Sequence, residues 1–240
     1  MPRSRVSTLA WVVATSFVVA TLLQYVDRLN LVATPPELPT SNMVQHAIAT
    51  QPYRQAIWPV FLWTNLLFGI GFAAAVAFAA SVAAASGRPG GLPTFRSLAT
   101  VGGVIAAIAS IIPLGAVNAA VWLGYCDCGF KETEIVSQIW AGMVAQDIAD
   151  WFNRFAGVVL AVALVSLVRD DDRLLTPLLR TWTWITALAL VAGPVVATIE
   201  LGPPELLDVI FTAIGLVLIP VWAVWLGRSV DSMGRATADA

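Results

Sequence analysis

The sequence predicts an all-α fold, a polytopic transmembrane bundle of six helices, with residues 1–240 forming a single domain and the N- and C-termini both cytoplasmic. Three observations predict it. Apolar residues make up 58% of the chain and charged residues only 12%, against roughly a quarter charged in an ordinary soluble domain. Mean hydropathy is +0.80. The apolar residues also fall in six long continuous runs, and the arginines collect in alternate connections. This composition excludes a soluble enzyme and a disordered chain. A net charge of −2 gives no basic footprint, so nucleic acid is not a predicted partner.

A bilayer core of about 30 Å is crossed by roughly 20 mostly apolar helical residues. Backbone groups in lipid must pair within the segment, so each run is helical. The spans are 7–26, 57–85, 97–123, 148–168, 182–199 and 206–226. A transmembrane barrel would instead show alternation over about ten residues per strand. The first run follows Arg3 and Arg5 and also reads as a signal peptide. It exceeds the 7–15 residues of a typical apolar signal core and lacks a clear cleavage site, so a retained helix is expected, with cleavage as the alternative.

The connections differ in kind. Residues 27–56 and 124–147 are the two longest, and the segment 86–96 carries SGRPGGLP, whose Gly and Pro end both neighbouring helices. Residues 169–181 contain RDDDR, and Leu201–Glu205 is a Gly-Pro-Pro hairpin. With the N-terminus inside, Arg3, Arg5, Arg88, Arg96, Arg169, Arg173, Arg180, Arg228 and Arg235 lie on the inner side, against Arg28, Arg54, Lys131 and Arg154 outside. This is the expected positive-inside bias. The basic residues are 12 Arg and one Lys, the habit of a GC-rich bacterial genome, whose inner or plasma membrane would be the address.

Small residues let helix backbones approach in lipid. The second helix has Gly69, Ala73, Ala77 and Ser81 at four-residue spacing, and the third has Gly102, Ala106 and Ser110 beside Gly103 and Ala107. These ridges predict close packing of helices two and three as an antiparallel hairpin; a dimer interface is the alternative. Pro113, Pro194 and Pro220 interrupt helices three, five and six. The ten tryptophans lie mostly near span ends, as interfacial anchors do.

Ionisable groups within a span are costly and are functional candidates by default. The densest set is QDIADWFNRF, where helical geometry puts Asp147, Asp150 and Arg154 within an arc of about 60°. Asp150 and Arg154 are i,i+4 partners. They form either a structural ion pair near the interface or an outward polar pocket for a cation, proton or polar ligand. Asn65 and Asn118 are weaker candidates, able to hydrogen-bond across helices. Asp27 and Arg28 close helix one as solvated caps, and Asp208 suits a helix start. Cys126-Asp127-Cys128 lies in an outer connection and reads as a disulfide or two free thiols. A metal site would need His46 and Asp127 as additional ligands, and none is predicted. The stretch from Thr133 to Gln146 has helical patterning, as a surface helix or an extension of helix four.

No catalytic motif of the Gly-x-Ser-x-Gly, His-Glu-x-x-His or phosphate-loop kind occurs, and no cofactor is expected. The Gly- and Ala-rich second and third helices and the closing LVLIPVWAVWLGRSV resemble the broad set of six-helix bacterial membrane proteins of unknown function; that resemblance implies a fold and no activity. The leading expectation is a non-enzymatic accessory or partner-binding membrane protein, with the lipid bilayer and a membrane protein as partners. The alternatives are a small transporter or polar-ligand receptor using the Asp147, Asp150 and Arg154 face, and a thiol- or metal-dependent membrane enzyme.

Overall fold

A computed structural model describes residues 4–35, 49–86, 92–122, 132–171, 173–199 and 204–236. Six helices are long and apolar enough to cross a membrane, and no strand occurs among the described residues. They are α1 (Ser4–Arg28), α2 (Gln51–Ala85), α3 (Pro93–Trp122), α4 (Glu132–Asp170), α5 (Pro177–Thr198) and a sixth span in two pieces. That span runs as α6 (Pro204–Ala213), a π-helical turn (Ile214–Leu218) and α7 (Ile219–Ala236). The described termini of the chain lie at the same end of the bundle, called the termini end below.

Helix ends follow local chemistry. At the end of α1, Asn30 adopts φ 53°. Leu31 N donates to Val26 O and Asn30 N to Asp27 O; this paired stop uses a residue tolerant of the left-handed region. At the start of α5, Thr176 accepts from Leu179 N through its side chain, and Pro177 follows as the first helical residue. The π turn ends at Leu218, two residues before Pro220. A proline ring collides with the carbonyl four residues back in an ideal α-helix, and a wider turn relieves that contact.

The helices pack as antiparallel neighbours in chain order, and α7 returns to α1 to close a ring. The expected α2–α3 hairpin is present: Gly69 faces Ala107 O and Ser110, and Gly103 faces Val76 and Phe72 O. The small-residue ridges are shared more widely than the sequence suggested. Gly71 admits Phe17 of α1, and Gly102 admits Leu160 of α4.

The tightest core lies in the half of the bundle at the termini end. Val13 and Phe17 of α1, Phe78 and Val82 of α2, Phe95 of α3, Leu164 and Leu167 of α4, Leu179 of α5, and Trp222 and Leu226 of α7 form one buried cluster. Phe78 meets Trp222 edge-on at 5.9 Å between ring centres, a favoured aromatic geometry. Toward the far end, large apolar side chains turn outward, among them Trp63, Ile111, Trp151, Phe155 and Val195. Lipid is the natural solvent for such a surface.

The helical hydroxyls are mostly satisfied within their own helices. Thr15, Thr21, Ser81, Thr100, Ser110 and Thr183 each donate to the carbonyl four residues back. This pairing lets a hydroxyl sit in an apolar environment without a further partner.

Candidate functional site

Helix α4 carries the charged cluster. At 39 residues it is about 58 Å long, nearly twice a hydrocarbon thickness of about 30 Å. The expected helix from Thr133 is therefore an extension of α4, which runs unbroken from Glu132. With Arg169 and Asp170 at one water boundary, Asp150 lies about 30 Å away, at the opposite boundary. Arg154 then lies about one turn inside it, within snorkelling reach of water.

Asp147 and Asp150 are exposed and Arg154 is half-buried. Asp150 Oδ1 accepts from Gln146 Nε2 at 3.0 Å, one turn earlier. The Arg154 guanidinium sits over the Trp151 ring, 4.9 Å from its centre. A cation on an aromatic face is stabilised there by about 0.5–2 kcal/mol. Among the described residues, no ion pair within 4 Å joins Arg154 to Asp150 or Asp147. The i,i+4 spacing brings acid and base onto one face, but indole and amide take the contacts expected of the pair.

This face looks sideways out of the bundle. Ala149 and Ala156 are the buried residues of this stretch, while Ile148, Trp151, Phe152 and Phe155 are exposed around the rest of the circumference. Asn65 does not join the cluster: its amide donates to Phe61 O at 2.9 Å within α2, and α2 packs on α1 and α3 rather than along α4. The side chain of Asn118, together with Cys126, Cys128, Asp127 and His46, lies outside the described residues. Among the described residues, no group of three or more His, Cys, Asp or Glu side chains is placed to hold a metal.

Three polar arrangements went unread in the sequence. Arg28 and Asp208, expected as a solvated cap and a helix-start acid, form an ion pair at 2.6 Å between α1 and α6. Asp27 Oδ1 accepts from Tyr53 Oη at 3.3 Å, so it too has a cross-helix partner. The second arrangement lies at the end of α4, where Asp171 is fully buried. Its carboxylate accepts from Arg173 N at 3.2 Å and Leu174 N at 2.8 Å, while Arg180 Nη2 donates to Asp171 O at 3.1 Å. One acid thus shapes the α4–α5 turn, and one cation caps the preceding helix end.

The third ties α5 to the sixth span. Trp182 Nε1 donates to Leu218 O at 3.2 Å, and Trp222 Nε1 donates to Thr183 Oγ1 at 3.2 Å. Each helix lends an indole to the other. Trp182 reaches the carbonyl at the end of the π turn, where the regular ladder is disturbed.

Fold and site together define a multi-pass membrane protein whose described polar groups mostly bind its own helices, while the charged face of α4 stands open. Comparison with protein-family models, curated proteins and solved structures gave no significant match.

Proposed function

We propose that the protein is a non-enzymatic accessory or partner-binding protein of a bacterial plasma membrane, and that the far half of α4 is the face its partner covers. One observation carries this reading: Asp147, Asp150 and Arg154 stand on a laterally open helix face beside exposed Trp151 and Phe155. Charged groups near the hydrocarbon boundary are costly. A neighbouring span with polar residues at the same depth would satisfy them, and the aromatic side chains around them would supply buried contact area. The arginine-rich composition and the positive-inside pattern support the bacterial plasma-membrane address.

The test is a photo-activatable cross-linker placed at Trp151 of the full chain in native membranes, with Val217 on the sixth span as control. A discrete protein adduct at Trp151 alone supports the reading. Lipid adducts alone at both positions contradict it. If Asp150→Asn and Arg154→Ala instead abolish a response to a small polar solute while no protein adduct forms, the transporter or receptor reading takes its place.

A further inference from the structure

We propose that the groove between α1 and α7 binds one anionic phospholipid, its phosphate on the Arg228 guanidinium and an acyl chain lying along the groove. The groove has a volume of 640 Å³ and is lined by residues of α1 from Trp11 to Val19 and of α7 from Pro220 to Arg228. That volume falls in the range of about 300–1,000 Å³ usual for ligand sites. It opens on the side of the bundle and not into the core.

The packing of the two helices makes the recess. Gly227 brings the backbone of α7 against Ala10, and Gly215 brings the π turn against Thr21. Between these two points of close approach the facing residues are short, Ala14 and Thr15 against Val221 and Val224. The hydroxyl of Thr15 donates to Trp11 O at 2.7 Å, so the floor presents little unsatisfied polarity to a hydrocarbon chain. Trp11 and Trp225 also line the groove.

Depth and charge select the headgroup. Asp208, paired with Arg28, marks the far boundary. Arg228 follows twenty residues later, about 30 Å along the helix and one hydrocarbon thickness away. It therefore sits at the phosphate level of the opposite leaflet, with Trp225 one turn deeper as an interfacial aromatic. Arg228 is exposed, and no described acid lies within 4 Å of it. Asp231, one turn on, has a buried carboxylate oxygen without a hydrogen-bond partner and forms no ion pair within 4 Å with Arg228. An unpaired guanidinium beside an acyl-sized apolar groove complements a lipid phosphate, which arginine recognises through paired hydrogen bonds.

The test is native mass spectrometry of the full-length chain, purified in mild detergent and exposed to equal amounts of phosphatidylglycerol and phosphatidylcholine. One phosphatidylglycerol per chain should be retained, with a preference of about fivefold or more, the factor expected of one arginine near an anionic headgroup. Arg228→Gln should abolish the preference and Arg228→Lys should largely keep it. Val221→Trp, which fills the groove, should abolish retention of both lipids. Equal retention of the two lipids by the natural chain, or an unchanged preference in Arg228→Gln, would overturn the proposal. So would a two-chain species that Val221→Trp dissociates, since a second copy would then occupy the groove.

Discussion

Arg28 Nη1 lies 2.6 Å from Asp208 Oδ1, which joins the end of the first span to the start of the sixth. The same seam continues through Tyr25 Oη and Thr212 Oγ1 at 2.8 Å, then Thr21 against Gly215, and finally Ala10 against Gly227. In each pair the α1 residue falls as its partner rises, at nearly matched spacing. The first and last spans therefore run antiparallel in one register through the π turn. The ring is closed by residues 180 to 217 positions apart in sequence.

The ion pair itself should contribute little. Its side chains retain 36% and 49% of their exposure, and exposed pairs contribute about 0.2–1 kcal/mol. A double-mutant cycle of Arg28→Ala and Asp208→Ala, read by thermal unfolding in mild detergent, should give a coupling within that range. It should shrink as salt is raised.

The backbone approach matters more. A Cβ at Gly227 would come within 2.9 Å of the Ala10 Cβ, so Gly227→Val should destabilise the chain by about 1–3 kcal/mol through overpacking. Gly115 in α3 has nothing within 4 Å of its would-be Cβ. Gly115→Ala should therefore stabilise by roughly 0.5–1 kcal/mol, the ordinary helix gain over glycine. The two melting shifts should have opposite signs.

The indole exchange between α5 and α7 predicts a coupled pair. Trp222→Phe and Thr183→Val each remove the 3.2 Å hydrogen bond. Interhelical hydrogen bonds in membranes average about 0.6 kcal/mol. The double variant should lose less than the sum of the singles by about that amount, measured by unfolding in detergent.

Asp171 should be the sensitive member of the RDDDR run. Its carboxylate serves two backbone N–H groups while fully buried. Asp171→Ala should cost about 0.5–2 kcal/mol, as loss of a helix-capping acceptor does. Asp170→Ala, beside it, should cost less, because Asp170 is not the residue that accepts from those two amides. Comparing the two thermal unfolding midpoints checks this.

The spans were legible because continuous apolar runs of this length have one solution in lipid. Their ends were less so. Glu132–Asp147 is helical yet too polar to register as membrane, and α2 begins at Gln51, six residues before its apolar run. The glycine ridges announced close packing, but which glycine faces which neighbour depends on rotation about the helix axis. That rotation turns Gly71 to Phe17 of α1 and Gly102, expected against α2, to Leu160 of α4. Helical periodicity places Asp147, Asp150 and Arg154 on one side of α4. It carried no information on whether that side faces the core or lipid, nor that Trp151 and Gln146 would take the contacts. Arg28 and Asp208 gave no local signal, since only tertiary closure brings them together.

The six spans close into a ring at the seam between α1 and the sixth span, and a cross-link across that seam reports on the closure. With Cys126 and Cys128 first replaced by Ser, Tyr25→Cys combined with Thr212→Cys should be joined within one chain by a short bifunctional thiol reagent in native membranes. Ala10→Cys combined with Gly193→Cys, on α5, should not. Failure of the first pair to bridge within one chain, or equal bridging by both pairs, would contradict the ring.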